Sequence, residues 1–225
     1  MGGNKEIESR FKLDTDLEAR LLKLTVFEGF VAGPVYRIDL IDTYVDTPQR
    51  DLRKKGALLR LRDERVPKDD KYVQKFTVGF KICTSYEGAT ATIDEYEEPF
   101  QQELATAFYS NALGMDVGPC QRARQLIEDV YDGRGNISLL VSNRRLVRHF
   151  IPYTGEGIVE LAFDALVYNG REGKQFSEME LEIEAKRGIH VVTFARFVME
   201  LQKAFSLEPS TGNKYERGLL HVDGQ

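Results

Sequence analysis

Four stretches of this chain alternate charged and apolar residues, and that alternation limits the possible folds more than anything else in the sequence. In Glu6-Ile7-Glu8-Ser9-Arg10-Phe11-Lys12-Leu13, the residues Glu6, Glu8 and Arg10 share one parity, while Ile7, Phe11 and Leu13 share the other. A β-strand sends alternate side chains to opposite faces, so this is a strand with one charged and one apolar face. Leu58-Leu59-Arg60-Leu61-Arg62 repeats the pattern with guanidiniums, Glu95-Tyr96-Glu97 with carboxylates, and Met179-Glu180-Leu181-Glu182-Ile183-Glu184 most strictly. A single such strand reads as the wet face of an antiparallel sheet. An ordinary wet face, however, mixes Thr, Ser, Lys and Gln. Charged faces on so many strands cannot fill a dry core, because unpaired buried charge is too costly. Either they all meet solvent, or they line a closed barrel wide enough for water and a ligand.

The 225 residues suffice for one substantial core or two small ones, and 30% of them are charged. A net charge of −5 argues against a general nucleic-acid binder. Cys83 and Cys120 form no disulfide framework or redox spacing, and no secretory leader is evident, so a cytoplasmic location is expected. No stretch approaches the roughly 18 apolar residues of a membrane span. With only three scattered histidines, any metal would be a hard ion held by oxygen.

In chain order, residues 4–13 read as a strand, with Asp14-Thr15-Asp16 offering caps to a short amphipathic helix. Gly33-Pro34 reads as a turn. Strands follow at 35–45, 57–65, 71–83 and 90–98, with 51–56 as a polar turn. Helical patterns occupy 100–113 and 121–131, and 132–136 reads as a hinge-like turn. Four more strands are expected at 137–141, 144–151, 158–168 and 176–185, joined by short Gly-rich turns. A long helix at 189–205 carries Phe194, Phe197, Val198 and Leu201 as a packing stripe. The expected fold is α+β: a closed antiparallel barrel of about eight strands, charged inside, with helices packed outside. With no linker in view, residues 1–225 form a single domain.

These motifs resemble the CYTH superfamily, the triphosphate tunnel metalloenzymes, which includes class IV adenylyl cyclases, thiamine triphosphatases and inorganic triphosphatases. The family's Glu-x-Glu-x-Lys strand is matched by Glu6, Glu8 and, with a change, Arg10. Its Tyr-x-Asp-Thr segment and following Leu-Arg-x-Arg are matched by Tyr44-Val45-Asp46-Thr47 and Leu59-Arg60-Leu61-Arg62. Phe80-Lys81, then Glu95 and Glu97, then Glu160 and Asp164, then Glu180, Glu182 and Glu184 follow in the family's order. Asn213-Lys214-Tyr215-Glu216-Arg217-Gly218 resembles its C-terminal turn. The resemblance runs from about Lys5 to Gly218. It departs at Arg10, where Lys is usual, and at Ile93, where many members carry Arg.

The resemblance implies a metal-dependent triphosphatase. Glu6, Glu8, Arg10 and Tyr44 would stand at the reacting end. Glu6, Glu8, Asp164, Glu180 and Glu182 would hold Mg²⁺ or Mn²⁺. Arg60, Arg62, Lys81, Lys214 and Arg217 would grip phosphate, together with the basic strand of Arg144, Arg145 and Arg148. Parity groups Arg144 with Arg148 against Arg145 and slightly favours Arg144, but a one-residue slip reverses it. Glu95, Glu97, Glu160 and Glu184 would support the site, although Glu95 and Glu97 could equally be cross-strand partners of Arg60 or Lys81. Glu178 and Glu184 read as the wet ends of their strand.

The chemistry agrees with this. Arg forks grip phosphate oxygens, and carboxylates would repel a triphosphate unless a divalent metal stands between them. The expected partner is a small-molecule triphosphate, with no nucleic acid and no membrane, and a homodimer is possible. The alternatives are a class IV cyclase, a thiamine triphosphatase, and a non-catalytic polyphosphate- or nucleotide-binding module. Arg10 weakens the thiamine reading because it cannot serve as a base. A pure anion binder would gain nothing from the Glu pairs.

Overall fold

The computed structural model describes residues 4–68, 71–87, 89–99, 136–170 and 173–223. The helices expected at 100–113 and 121–131, and most of the turn at 132–136, lie outside the described residues. In chain order the elements are β1 (Asn4–Lys12), α1 (Thr15–Leu22), β2 (Val26–Phe27), β3 (Phe30–Asp46), α2 (Asp51–Lys54), β4 (Ala57–Lys68), β5 (Lys71–Glu87) and β6 (Thr90–Pro99). Then come β7 (Asn136–Pro152), β8 (Ile158–Asn169), β9 (Gln175–Lys186), α3 (Val191–Phe205) and α4 (Lys214–Asp223).

The sheet runs β2-β3-β4-β5-β6-β1-β9-β8-β7, and β3 pairs again with β7. That last pairing closes eight antiparallel strands into a barrel, with the two-residue β2 added beside β3. Among the described residues, no helix is long and apolar enough to cross a membrane.

Two expected breaks turn out to be continuous strand. The segments read as 137–141 and 144–151 are one strand, β7, because both β3 and β8 ladder straight across Ser142-Asn143. Gly33-Pro34 sits within β3, where the register against β7 shifts between Ala32 and Val35. A bulge at this point absorbs the proline, which has no N–H to give the ladder. The polar turn at 51–56 contains the short helix α2. Asp46 anchors α2: its Oδ1 accepts from the backbone N–H groups of Thr47 and Leu52, and its Oδ2 from that of Arg53. Asp14 caps α1 by accepting from Leu17 N at 2.7 Å, as its position suggests.

The apolar parity of the strands faces outward, as the alternation demands. Phe11, Leu161, Phe163, Leu181 and Ile183 pack against Leu21 of α1 and against Phe194, Phe197, Val198 and Leu201 of α3. Each fully buried side chain of this size is worth about 1.5–3 kcal/mol, so this outer layer carries much of the stability.

The helix α4 does something different. Tyr215, Leu219 and Val222 meet Tyr44, Leu139, Val141, Leu166 and Tyr168. Those five strand residues share the parity of the charged interior, so α4 stoppers one end of the barrel from within. Its close seating explains the glycine in Arg217-Gly218. A Cβ at Gly218 would run into Leu139 Cδ2 and stand 2.5 Å from Tyr168 Cδ1. Gly218→Ala should therefore destabilise the protein by about 1–3 kcal/mol through overpacking, against a helix-propensity gain of at most about 1 kcal/mol. Urea denaturation reads the difference, and a stabilised Gly218→Ala chain would contradict this seating.

Candidate functional site

Between the stopper and the other end lies a cavity of about 130 Å³, lined among the described residues by six carboxylates, seven cations, Tyr44, Leu58 and Asn213. The inward parity of β1, β3, β4, β5, β6, β7 and β9 supplies Glu6, Glu8, Arg10, Tyr44, Arg60, Arg62, Lys81, Glu95, Glu97, Arg145, Glu182 and Glu184. Lys214 enters from the first turn of α4. Asp164, Glu180 and Arg217 stand just behind and are buried.

The charges are paired across strands. Lys81 Nζ lies 2.6 Å from Glu6 and 2.9 Å from Glu95. Arg60 reaches Glu97 at 2.9 Å across Gly79, where a Cβ would meet Glu97 Oε1 at 3.4 Å. Glu95 and Glu97 thus are cross-strand partners of Lys81 and Arg60 and also line the cavity. Arg145 grips both Asp164 oxygens at 2.7 and 2.8 Å and Glu182 at 2.9 Å. Arg217 bridges Glu178 at 2.8 Å and Glu180 at 2.5 Å. Arg10 pairs with Glu8 and donates to the Gly212 carbonyl at 3.3 Å. Tyr44 stacks on Tyr215 with ring centroids 5.2 Å apart. Burial, and then the Asp42 charge, push its phenol up, so it stays neutral near pH 7.

Three placements differ from the alternation-based reading. Arg145, rather than Arg144, faces the cavity; Arg144 is exposed on the outside of β7. Arg148 also points outward, donating to the carbonyls of Gly33 at 3.0 Å and Leu22 at 2.5 Å, where it ties α1 to the wall. Glu184 is not a wet strand end: it lines the cavity and pairs with Lys186. Glu160 sits further toward the unstoppered end, 2.8 Å from His149 Nε2.

Sequence reasoning missed three residues. Asp42 is buried and holds Arg62 through two bonds of 2.7 and 2.8 Å. It shares the parity of Tyr44, and that was the available signal. Lys186 continues the inward parity of β9. Asn143 is buried beside Arg145 on the inner wall, and both its amide atoms lack a partner among the described residues.

A sequence profile of the CYTH domain matches residues 4–218. The chain belongs to the CYTH domain family. Its fold is shared with a candidate adenylate cyclase from Bacillus halodurans, at 21% identity and a TM-score of 0.61, covering 96% of this chain and 98% of that one. A Hippeastrum protein with a described dominant triphosphatase activity aligns at 16% identity and a TM-score of 0.62, covering 98% and 96%. A Pyrococcus horikoshii protein aligns at 18% identity and a TM-score of 0.55, covering 96% and 98%. No curated protein matches the chain.

Two groups of carboxylates in this CYTH domain have the chemistry for a hard cation: Glu6, Glu8 and Glu182, and Asp164, Glu180 and Glu182, each with one oxygen per residue within 4.8 Å of the others. Their electrostatic settings differ. Burial would raise Asp164 and Glu182, but Arg145 and Lys214 hold both below the ordinary carboxylate range. In the first group, against burial, Lys81 holds Glu6 below that range as well, while beside it burial and the Glu6 charge push Glu184 up to about 7, despite Lys186.

Glu184 also makes a stability prediction. Its folded value lies above the ordinary 4.5, so the folded state holds the extra proton between about 4.5 and 7. Stability of the metal-free protein should fall as pH rises through that window. In EDTA, Glu184→Gln should match the unmodified chain near pH 4.5 and exceed it by about 3 kcal/mol at pH 7.5. Urea titrations at the two pH values check this, and a pH-independent difference would refute it.

Proposed function

We propose that this CYTH domain hydrolyses the terminal phosphoanhydride of inorganic triphosphate in a metal-dependent reaction. One observation carries the reading: of the 16 described residues lining the cavity, 13 are Glu, Lys or Arg, and both signs are present. A ligand that satisfies such a lining is itself a polyanion accompanied by a cation. The triphosphatase activity described for the Hippeastrum protein supports the reading.

Glu6, Glu8 and Glu182 would hold Mg²⁺ or Mn²⁺. When bound, such an ion neutralises phosphate charge, polarises the phosphoryl group and lowers the pKa of water. Arg60, Arg62, Lys81 and Arg145 bind and orient the phosphates, each pre-aimed by a carboxylate it can exchange for a phosphate oxygen. Arg10 and Tyr44 position Glu8 and the inner wall. Preorganised charge of this kind is the main source of catalysis in phosphoryl transfer. The whole chain, 1–225, acts as one unit on a small-molecule triphosphate.

The second reading is a cyclase acting on ATP, suggested by the Bacillus halodurans relative. An adenine needs an apolar or aromatic slot, and among the described residues the cavity offers only Leu58 and Tyr44, one face of which is taken by Tyr215.

Phosphate release from inorganic triphosphate with Mg²⁺, Mn²⁺ or EDTA tests the proposal, with ATP and thiamine triphosphate alongside and cyclic AMP assayed in the ATP arm. Metal-dependent release from triphosphate with slow ATP turnover is expected. Cyclic AMP with pyrophosphate would favour the second reading, and no turnover with tight metal-free triphosphate binding would leave a binding module.

A further inference from the structure

The second carboxylate group already contains a cation, and that cation is part of the chain. Lys214 Nζ lies 3.1 Å from Asp164, 3.2 Å from Glu180 and in contact with Glu182. The ammonium hydrogen-bonds Glu182 and stands at ion-pair distance from the other two carboxylates. The other oxygens of Asp164 and Glu180 face cations as well. Arg145 holds both oxygens of Asp164, and Arg217 lies 2.5 Å from the second oxygen of Glu180. Three acids therefore face three cations.

The first group is arranged differently. Lys81 approaches Glu6 from one side and divides itself with Glu95, while Arg10 approaches Glu8. Among the described residues, no ammonium contacts Glu6, Glu8 and Glu182 together. Both ion pairs of Glu182 use its Oε2.

Lys214 has little room to withdraw. It sits in the first turn of α4, which Tyr215 pins by stacking on Tyr44 and by bonding to Ser138 at 2.8 Å and Asp46 at 3.2 Å. A divalent ion entering Asp164, Glu180 and Glu182 would meet that fixed positive charge at close range in a weakly screened site.

We propose that Lys214 is a built-in cation that takes the place of a second divalent ion, so that each chain loads a single metal, at Glu6, Glu8 and Glu182. This deepens the metal-dependent reading above and rests on it. Its test counts metal in the absence of triphosphate, so the two readings can fail separately.

Mn²⁺ is titrated into the purified full chain and followed by electron paramagnetic resonance, with bound ion counted by equilibrium dialysis. The unmodified chain should bind one Mn²⁺ with the spectrum of an isolated ion. Lys214→Met should bind two, with a spectrum broadened by the second nearby spin. Lys214→Arg, which keeps the charge, should return to one. Circular dichroism confirms folding, and Lys214→Gln serves if the Met variant does not fold.

Two Mn²⁺ in the unmodified chain would overturn the proposal and leave a metal-dependent hydrolase standing. One Mn²⁺ in the folded Met or Gln variant would also overturn it. No Mn²⁺ in the unmodified chain would overturn both this proposal and the metal-dependent reading beneath it.

Discussion

Glu6→Gln should lower metal-dependent phosphate release from triphosphate by about 10²–10³-fold, the scale of losing one preorganised electrostatic group. The side chain is 8% exposed, and burial would raise its carboxyl, yet the Lys81 ammonium 2.6 Å away holds it below the ordinary range. It is therefore a full negative charge at neutral pH. Gln keeps the shape and can still accept from Lys81, so the barrel should survive. The charge that recruits a divalent ion is lost, because only Glu8 and Glu182 remain of that group. Lys81 keeps Glu95 as a counter-charge at 2.9 Å, which limits the damage to stability. The measurement is kcat at saturating Mg²⁺ and Mn²⁺, with thermal melting as the control for folding. Undiminished turnover, or tighter triphosphate binding with no turnover in either chain, would remove Glu6 from the reaction and favour a binding module.

Asp42→Ala should destabilise the folded state by about 3–5 kcal/mol, the usual cost of removing one partner from a buried ion pair. Asp42 is 1% exposed and is the only close anionic partner of Arg62 among the described residues, with Arg60 a further 3.8 Å contact. Burial pushes its carboxyl up, but Arg62 and Arg60 hold it well below the usual carboxylate range. A depressed folded value means that its stabilisation is present above the unfolded value, near 3.9, and is lost as pH falls below it. The gap between the two chains in urea should therefore close on acidification. Adding Arg62→Leu to Asp42→Ala should recover part of the loss, since no unpaired charge then remains in the wall. A loss below about 1 kcal/mol would mean that Arg62 finds water or another acid without difficulty.

Much of the barrel could be read from the strands themselves. Glu6, Glu8 and Arg10, or Glu180, Glu182 and Glu184, announce their inner face because charge and apolar residues alternate without a break, and the structure keeps that parity on both strands. Where the alternation is impure, parity alone fails. Arg144-Arg145-Leu146-Val147-Arg148 offers cations on both faces, and only the register that sets Arg145 opposite Asp164 decides between them. Register comes from partner strands far along the chain, which no local pattern contains. Asp42 was passed over for a similar reason: it looks like another polar residue in a mixed strand until β4 brings Arg62 directly opposite. The seating of α4 was beyond local reading as well. Lys214 and Arg217 could be singled out as cations, but the sequence offers no sign that Tyr215 and Leu219 would turn into the barrel.

That stopper has a consequence for traffic. With α4 filling one end, and Tyr36, Glu97 and Lys186 partly open to solvent toward the other, the chamber is a cul-de-sac among the described residues. Whatever enters must leave the way it came, and spent phosphate must clear before a new molecule can seat. A long phosphate polymer could not be pulled through hand over hand; it would be clipped at its tip, released and taken up afresh.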